Sequence, residues 1–580
     1  MSLDIARLIA FSAISATEVQ IGIASSNVAN ADTKGYTQKT GNQVADYMGG
    51  VGAGVSVTGI SSNVDQLLLK SLINATSDLG SADTTNNYMT ELQQLFGTAN
   101  SDGSSTTGTS LANTLAALET ALTSLSNSPS SVSLQSAVVS ALDNVASQLR
   151  DTSKGIQNLR SNADQDIASS VTSINSDINQ IADLNQQIKK MAAAGQSTAD
   201  LEDQRNSALQ DLSSYMNVSY YTASNGDLQV YSSSGQALVD SSAHTLSYTA
   251  SSNVSASTSF SKITVGGVDI TSQITSGKIG ALITLRDTTL PAEQNQLDQL
   301  ANQLKSALNS VSNGASAVPA SNSLTGTATV SSSTALTASG TVRIAVTDSS
   351  GKLVSYQDLD LSNYPTVGDL VTALNGISGI SASVDANGHL TISSTNSADG
   401  VAINDMDSSI SGAGFSDYFG MNDLVTGTGA SNFAVRSNFL TGAETLPVGT
   451  LDDSATLTAG SAVLTPGSAT VINSFYKVLT GSTSFAAAGG LGATTGSFAD
   501  YASDIVGNIA SKASQASTTF TTKSATQSAY ANSLASQSGV NVDEETNRIS
   551  ALQNKYAAAS QLLSTINAMF SSLVTAMQSS

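Results

Sequence analysis

This sequence contains no cysteine, which excludes a catalytic thiolate, a disulfide framework and any Cys-ligated metal centre. That absence fits a protein that leaves the cytoplasm without risk of cross-linking on the way. Tryptophan is missing too, and the two histidines, His244 and His389, sit in stretches that read as strand or turn, as ordinary surface side chains. Charged residues make up 11% of the chain, and 22 Lys and Arg against 44 Asp and Glu leave a net charge of −22. Nucleic acid and anionic membrane are poor partners for such a chain, because both demand clustered Lys and Arg. No unbroken apolar run approaches the roughly 20 residues that cross a bilayer. The opening Met-Ser-Leu-Asp-Ile-Ala-Arg lacks the basic, apolar and small-residue parts of a cleaved secretory signal. An exported chain of this kind would use a route that removes no signal.

Catalytic strings are absent as well: there is no H-E-x-x-H, P-loop, G-x-G-x-x-G or G-x-S-x-G. Asp405 and Asp407 lack EF-hand spacing and read as a solvated loop. Asp543-Glu544-Glu545 reads as a run of carboxylates favouring a helix N-terminus. No enzyme is expected, with no catalytic, cofactor-binding or metal-ligating residue and no cofactor.

What the chain does have is 40% hydrophobic residues set among plentiful Ser, Thr, Ala and Asn, enough to bury cores in about three or four domains. Its two ends share one style. Ile549, Leu552, Tyr556, Ala559, Leu563, Ile566, Phe570, Leu573 and Met577 recur at steps of three and four, the seam of a helix that packs along another helix. Ile5, Ile9, Ser12, Ala16, Val19 and Ile23 make a shorter, weaker seam. Each would expose an apolar stripe if it stood alone, so the two pack together or against other copies.

Between the ends the pattern changes several times. Leu111, Leu115, Leu118 and Leu122, then Ile167, Val171, Ile174, Ile178, Ile181 and Ile188, have helical spacing. From 216 to 285, Tyr, Val and Thr alternation broken by Asn225-Gly226 and Gly266-Gly267 reads as short strands and turns. A helix returns near Pro291 and runs to about Val311. Strands are expected at Thr341 to Thr347 and Leu353 to Leu359. A short helix at Val367 to Leu374 follows, then a hairpin of Ile380 to Val384 and His389 to Ser393. The Ser/Gly/Ala-rich stretches at 311–340, 425–432 and 481–497 read as linkers or loops.

After the first seam, Ser25-Ser26-Asn27-Val28-Ala29-Asn30-Ala31-Asp32-Thr33-Lys34-Gly35-Tyr36-Thr37 reads as a helix end and a turn. The order Ser-Asn-x-Ala-Asn-x-x-Thr-x-Gly-Tyr after an N-terminal helix resembles the motif shared by flagellar rod, hook and hook-associated proteins. Three further segments are similar to the hook–filament junction members of that family. They are Leu201-Glu202-Asp203-Gln204-Arg205-Asn206 with Gly235-Gln236-Ala237-Leu238-Val239, then Ser276-Gly277-Lys278-Ile279-Gly280 with Arg286-Asp287 and Pro291 to Leu297. The last is Ser538 to Glu545 with Gln553 to Ala558. The likeness covers roughly 1–310 and 500–580 and leaves about 316–470 without a match.

The resemblance implies an elongated axial structural protein, secreted through the flagellar type III channel, that forms a ring joining hook to filament. It implies contacts with other copies, with hook protein, with the second junction protein (hook-associated protein 3) and with a cytoplasmic export chaperone that shields the C-terminal seam. Ile5, Ile9, Val19, Ile23, Asn27, Asn30, Gly35, Tyr36, Ile549, Leu552, Tyr556, Leu563, Ile566, Phe570 and Leu573 are the expected assembly and chaperone interface. The fold class is a multidomain α+β chain. Its expected parts are paired, coiled-coil-like terminal helices (1–60 with 538–580) and a long-helix domain (61–215 with 286–312 and 471–537). A small β-rich segment (216–285) and an inserted β-rich outer domain (316–470) complete it. A hook or rod subunit, or a secreted adhesin or surface-layer protein, are the alternative readings.

Overall fold

The computed structural model describes residues 3–97, 110–465 and 469–578; part of the expected long-helix domain, 98–109, lies outside them. Helix α1 (Leu3–Ala29) leads through a turn into a hairpin of β1 (Lys39–Met48) and β2 (Val51–Ser62). Helices α2 (Gln66–Phe96), α3 (Leu111–Ser126), α4 (Val132–Ala193) and α5 (Ala199–Tyr215) follow. Two small antiparallel sheets come next: β3 (Val218–Thr222), β4 (Leu228–Ser232) and β5 (Ala237–Val239), then β6 (Leu246–Ser247), β7 (Thr264–Val265) and β8 (Val268–Asp269). A π-helical turn at Leu285–Thr289 separates α6 (Gly277–Thr284) from α7 (Leu290–Asn313).

The outer segment runs through β9 (Ser323–Thr329), β10 (Ala338–Ser339), β11 (Thr341–Thr347), β12 (Leu353–Asp360), α8 (Val367–Leu374), β13 (Ile380–Val384), β14 (His389–Ser394), β15 (Gly400–Asn404) and β16 (Ser409–Ile410). Short elements α9 (Phe415–Phe419), β17 (Val425–Thr426), β18 (Ala434–Val435) and α10 (Ser437–Leu440) precede α11 (Ala469–Thr480), β19 (Thr483–Phe485) and β20 (Thr494–Gly496). Two long helices, α12 (Phe498–Ser538) and α13 (Val542–Gln578), close the chain.

Two compact units result, the first from residues up to Tyr88, Ser161–Arg286 and those from Ser514 onward, the second from Met89–Arg160 and Asp287–Ala513. In the first, the apolar stripe of α4, Ile167 to Ile188, is buried with Leu209 and Leu212 of α5 and Val230 of β4. Polar side chains on the other face keep this helix soluble along its length. Asp164 and Arg286, both buried, pair at 2.7 Å, and the Tyr248 hydroxyl donates to the same carboxylate. A buried charge without such partners would be costly.

In the second unit, Ser110 caps α3 by accepting from the Asn113 N–H at 3.4 Å, and Leu115, Leu118, Leu122 and Leu125 are buried. Its outer part stacks sheet β12-β11-β15 and sheet β13-β14-β9 around Val342, Ile344, Leu370, Leu390 and Ile392. The expected strands and the α8 helix stand where alternation and spacing put them, and in the structure Thr366 caps the helix by accepting from the Asp369 N–H at 3.2 Å. Three corrections follow from pairing that local composition does not reveal. The supposed linkers hold paired strands: β9 within 311–340, β17 within 425–432, and β19 with β20 within 481–497. The segment 216–285 is not β-rich to its end, since α6 occupies 277–284. Asp405 is not a solvated loop residue: its Oδ1 accepts the Ser416 N–H at 2.9 Å, and burial raises its pKa.

The β1–β2 hairpin went unread in the sequence, although Gly49-Gly50 marks it. Both glycines have positive φ, +61° and +80°, as a tight two-residue hairpin turn requires. By length and composition α1 meets the test of a membrane-spanning helix, against the expectation drawn from the lack of an unbroken apolar run. Its inner side packs on α13 and β2.

Candidate assembly joint

One side chain closes the turn after α1. Asn27, wholly buried, donates from Nδ2 to the Lys39 carbonyl and accepts the Lys39 N–H at Oδ1, both at 3.0 Å. The Tyr36 hydroxyl donates to the same Oδ1 at 3.0 Å. A primary amide offers the donor and acceptor of a peptide unit, so Asn27 pairs with the first residue of β1 as a neighbouring strand would. Asn30 donates to the Ser26 carbonyl at 2.9 Å, finishing the helix end. Gly35 sits at φ +80°, and a Cβ there would fall 2.4 Å from Ser207 Oγ of α5.

Helix α5 reaches the same turn from far along the chain. Asp203 accepts the Thr37 N–H at 2.9 Å and its hydroxyl at 2.7 Å. It also receives the buried Lys39 ammonium, which donates besides to Thr37 Oγ1 (3.1 Å) and the Ala199 carbonyl (3.2 Å). The ammonium lies 4.7 Å from the Tyr36 ring centroid. Burial pushes the Tyr36 phenol pKa up, and the carboxylates of Asp200, Asp203 and Glu545 add to it against the lowering effect of Ser26.

The C-terminal segment completes the joint. Gln38 donates its N–H to the Ser538 carbonyl (2.8 Å) and its Nε2 to Glu545 Oε1 (2.6 Å). Asp65 N–H donates to Ser538 Oγ at 3.4 Å. Asn541, at the N-cap of α13, accepts from the Asp543 and Glu544 N–H groups at 3.0 and 3.2 Å. Asp543 and Glu544 are exposed in the first turn, as carboxylates there should be. Glu545 departs from that reading: it is buried and bonded to Gln38.

From this joint α1 and α13 run antiparallel, with the Arg7 guanidinium 5.9 Å from the Phe570 ring at the far end. Ile23, Leu552 and Ala559 are buried between neighbours, while Ile5, Ile9, Ile549, Leu563, Ile566 and Phe570 are half-buried. Val19, Tyr556 and Leu573 face outward. Leu8, Phe11 and Val19 form one exposed stripe of α1, and Leu562, Met569, Leu573 and Met577 form one on α13. Small side chains, Ala10, Ala16 and Ala24, take the inner side of α1 instead, which lets the helices approach closely.

The structure thus brings Asn27, Tyr36, Asp203, Ser538 and Glu545, from three distant signatures, into one place. Lys39 and Gln38 were missed: a lysine after a turn carries no signal when its carboxylate lies on another helix. The joint has a fully bonded ion pair, and a cleft of about 470 Å³ lined by Asn30, Gly35, Tyr36, Asp200, Asp203 and Ser207 lies against it. Among the described residues no group of acidic, His or Cys side chains is arranged to hold a metal. His244 and His389 lie beside Asp240 (3.0 Å) and Asp385 (3.7 Å), partly exposed.

Comparison with known proteins adds family to geometry. Residues 82–320 match the flagellar hook-associated protein FlgK helical domain, and residues 8–37 match the flagella basal body rod protein family. Flagellar hook-associated protein 1 of Escherichia coli K12 is 25% identical over 97% of this chain and 98% of its own length. The same protein of Salmonella typhimurium is 25% identical over the same shares. That of Bacillus subtilis is 26% identical over 37% of this chain and 44% of its own. A solved structure of the flagellar hook junction protein FlgK from Burkholderia pseudomallei covers 80% of this chain and 98% of its own at 19% identity, with a TM-score of 0.46.

A joint that binds both chain ends, helices with outward apolar stripes and a rod-type N-terminal segment define the class: a structural protein of the bacterial flagellar axis. Within that class the chain is similar to flagellar hook-associated protein 1 along nearly its whole length.

Proposed function

We infer that this chain is the structural adaptor that joins flagellar hook to filament, a secreted component of the flagellum with no catalytic duty. The observation that carries this reading is the likeness to hook-associated protein 1 along 97% of the chain. It interacts with hook and filament components.

The finer reading is as follows. Copies form a ring by covering the outward stripes of α1 and α13, since exposed Phe11, Leu562, Leu573 and Met577 in one region favour burial against another surface. Asn27, Asn30, Gly35 and Tyr36 act within each copy, setting the angle at which the paired helices leave the joint. Hook protein is met on one side and hook-associated protein 3 on the other. Before passage through the type III channel a cytoplasmic chaperone covers the α13 seam, which would otherwise invite aggregation.

Electron microscopy of cells deleted for the gene, with flagellin assayed in the medium, tests the junction role. Hooks without filaments and flagellin lost to the medium are expected; missing hooks would move the protein into the hook or rod, and normal filaments would return the adhesin reading. Leu563→Asp with Ile566→Asp tests the finer reading, with loss of incorporation and of chaperone binding expected. Normal motility in that double variant would overturn it.

A further inference from the structure

The first unit holds a cleft of about 620 Å³ outside the joint. Its walls include Asn63 and Lys70 near the start of α2, Glu202 and Arg205 of α5, and Tyr220 and Tyr221 of β3. Donors dominate these walls. Lys70 is exposed and, among the described residues, has no carboxylate within ion-pair distance. Arg205, 6% exposed, gives one Nη to Asn185 Oδ1 and the Gly226 carbonyl, both at 2.9 Å, and its Nε has no partner. The Tyr220 hydroxyl is buried and unpartnered, and burial pushes its pKa up to about 12, so it keeps its proton. The carboxylate on the wall, Glu202, already accepts from Thr198 Oγ1 at 2.7 Å. Tyr221 stacks on Tyr231 with centroids 5.9 Å apart and planes 7° from parallel, giving a flat aromatic flank. Two cations, one of them with an unpartnered Nε, together with the unpartnered Tyr220 hydroxyl and an aromatic flank suit a carboxylate on an extended peptide, the charge-assisted acceptor such donors favour.

We propose that this cleft takes a carboxylate-bearing segment of a second copy of this chain. The proposal rests on the junction reading, in which copies stand side by side. A neighbouring copy itself carries a net charge of −22, with twice as many acidic as basic residues, so acidic segments are what it most readily presents. Two such copies repel, and a donor-rich recess offsets that repulsion locally while selecting the orientation of approach.

The test places a photo-reactive amino acid at position 221 of the full-length protein in cells, and identifies cross-linked products from isolated flagella by mass. A homodimer of this chain is expected, with its yield cut about tenfold by Lys70→Glu and kept by Lys70→Arg. Lys70 is exposed, so unchanged thermal unfolding of both variants checks that the fold is intact. Cross-links only to a different protein, or a yield indifferent to Lys70→Glu, would overturn the proposal while filaments still form and the junction reading stands. Normal filaments in the gene deletion would instead remove the junction reading itself.

Discussion

The side-chain amide of Asn27 pairs with both backbone groups of Lys39, at 3.0 Å each, across a turn of eleven intervening residues. That pairing fixes where the first strand starts relative to the first helix. Asn27→Ala leaves a buried N–H and a buried carbonyl without partners and also frees the Tyr36 hydroxyl. Unfolding of the first unit is expected to be easier by about 2 to 4 kcal/mol, at roughly 1–3 kcal/mol per buried unsatisfied group with partial relaxation. Chemical denaturation of the purified protein checks it. Asn27→Asp keeps the acceptor and loses the donor, and should fall between.

Lys39 and Asp203 are both buried and matched to each other. Removing either alone, by Lys39→Met or Asp203→Leu, strands the other charge and should cost about 3–5 kcal/mol. The double variant should recover a large part of that loss, though Asp203 also serves Thr37. A double-mutant cycle in denaturant reads this out, and strictly additive losses would count against the pairing.

Amide exchange along α13 should be graded. Leu552 and Ala559 are buried against neighbours, whereas Met569, Leu573 and Met577 are more than half exposed. Exchange in the isolated protein is expected to be slowest near 552–559 and to quicken steadily toward 577. Incorporation into flagella should slow exchange at the outer end most. Uniform protection along the helix before assembly would contradict the outward stripe.

Asp177 of α4 sets a pH dependence. Burial, with Asp211 second, raises its pKa from 3.8 to about 6, and its Oδ2 is buried without a partner. A carboxylate whose folded pKa lies above its unfolded value favours the fold most below the unfolded pKa, and that contribution is lost as pH climbs through about 6. Asp177→Asn should therefore stabilise the protein at neutral pH by on the order of 1 kcal/mol, a figure reduced because the group is half exposed. Below about pH 4 the advantage should vanish. Thermal unfolding of both proteins across that range measures it.

Much of this fold was legible from periodicity. The stripe Ile167 to Ile188, the strands around Val342 and Ile344, the capped helix at Val367 and the seam at Leu552 to Phe570 all follow from local spacing, because burying one face of a helix or strand is a local demand on the sequence. The residues of the joint were partly legible, since Asn27, Tyr36, Asp203 and Glu545 stand in recognisable strings. What those strings do was not: Lys39 finds its carboxylate on α5, and Glu545 finds Gln38 across nearly the whole chain.

The sequence alone determined an acidic, cysteine-free, multidomain chain with helical ends that need a cover, and a resemblance to flagellar axial proteins. Only the tertiary structure decided that the cover is first of all the chain's own other end, that small residues line the inner side of α1, and that Val19 and Leu573 are left facing out. It also decided that stretches rich in Ser and Gly become strands. The reason is the same in each case: hydrogen bonds and charge pairs between residues far apart in the chain leave no mark on local composition, and they outweigh local preference where both groups are buried.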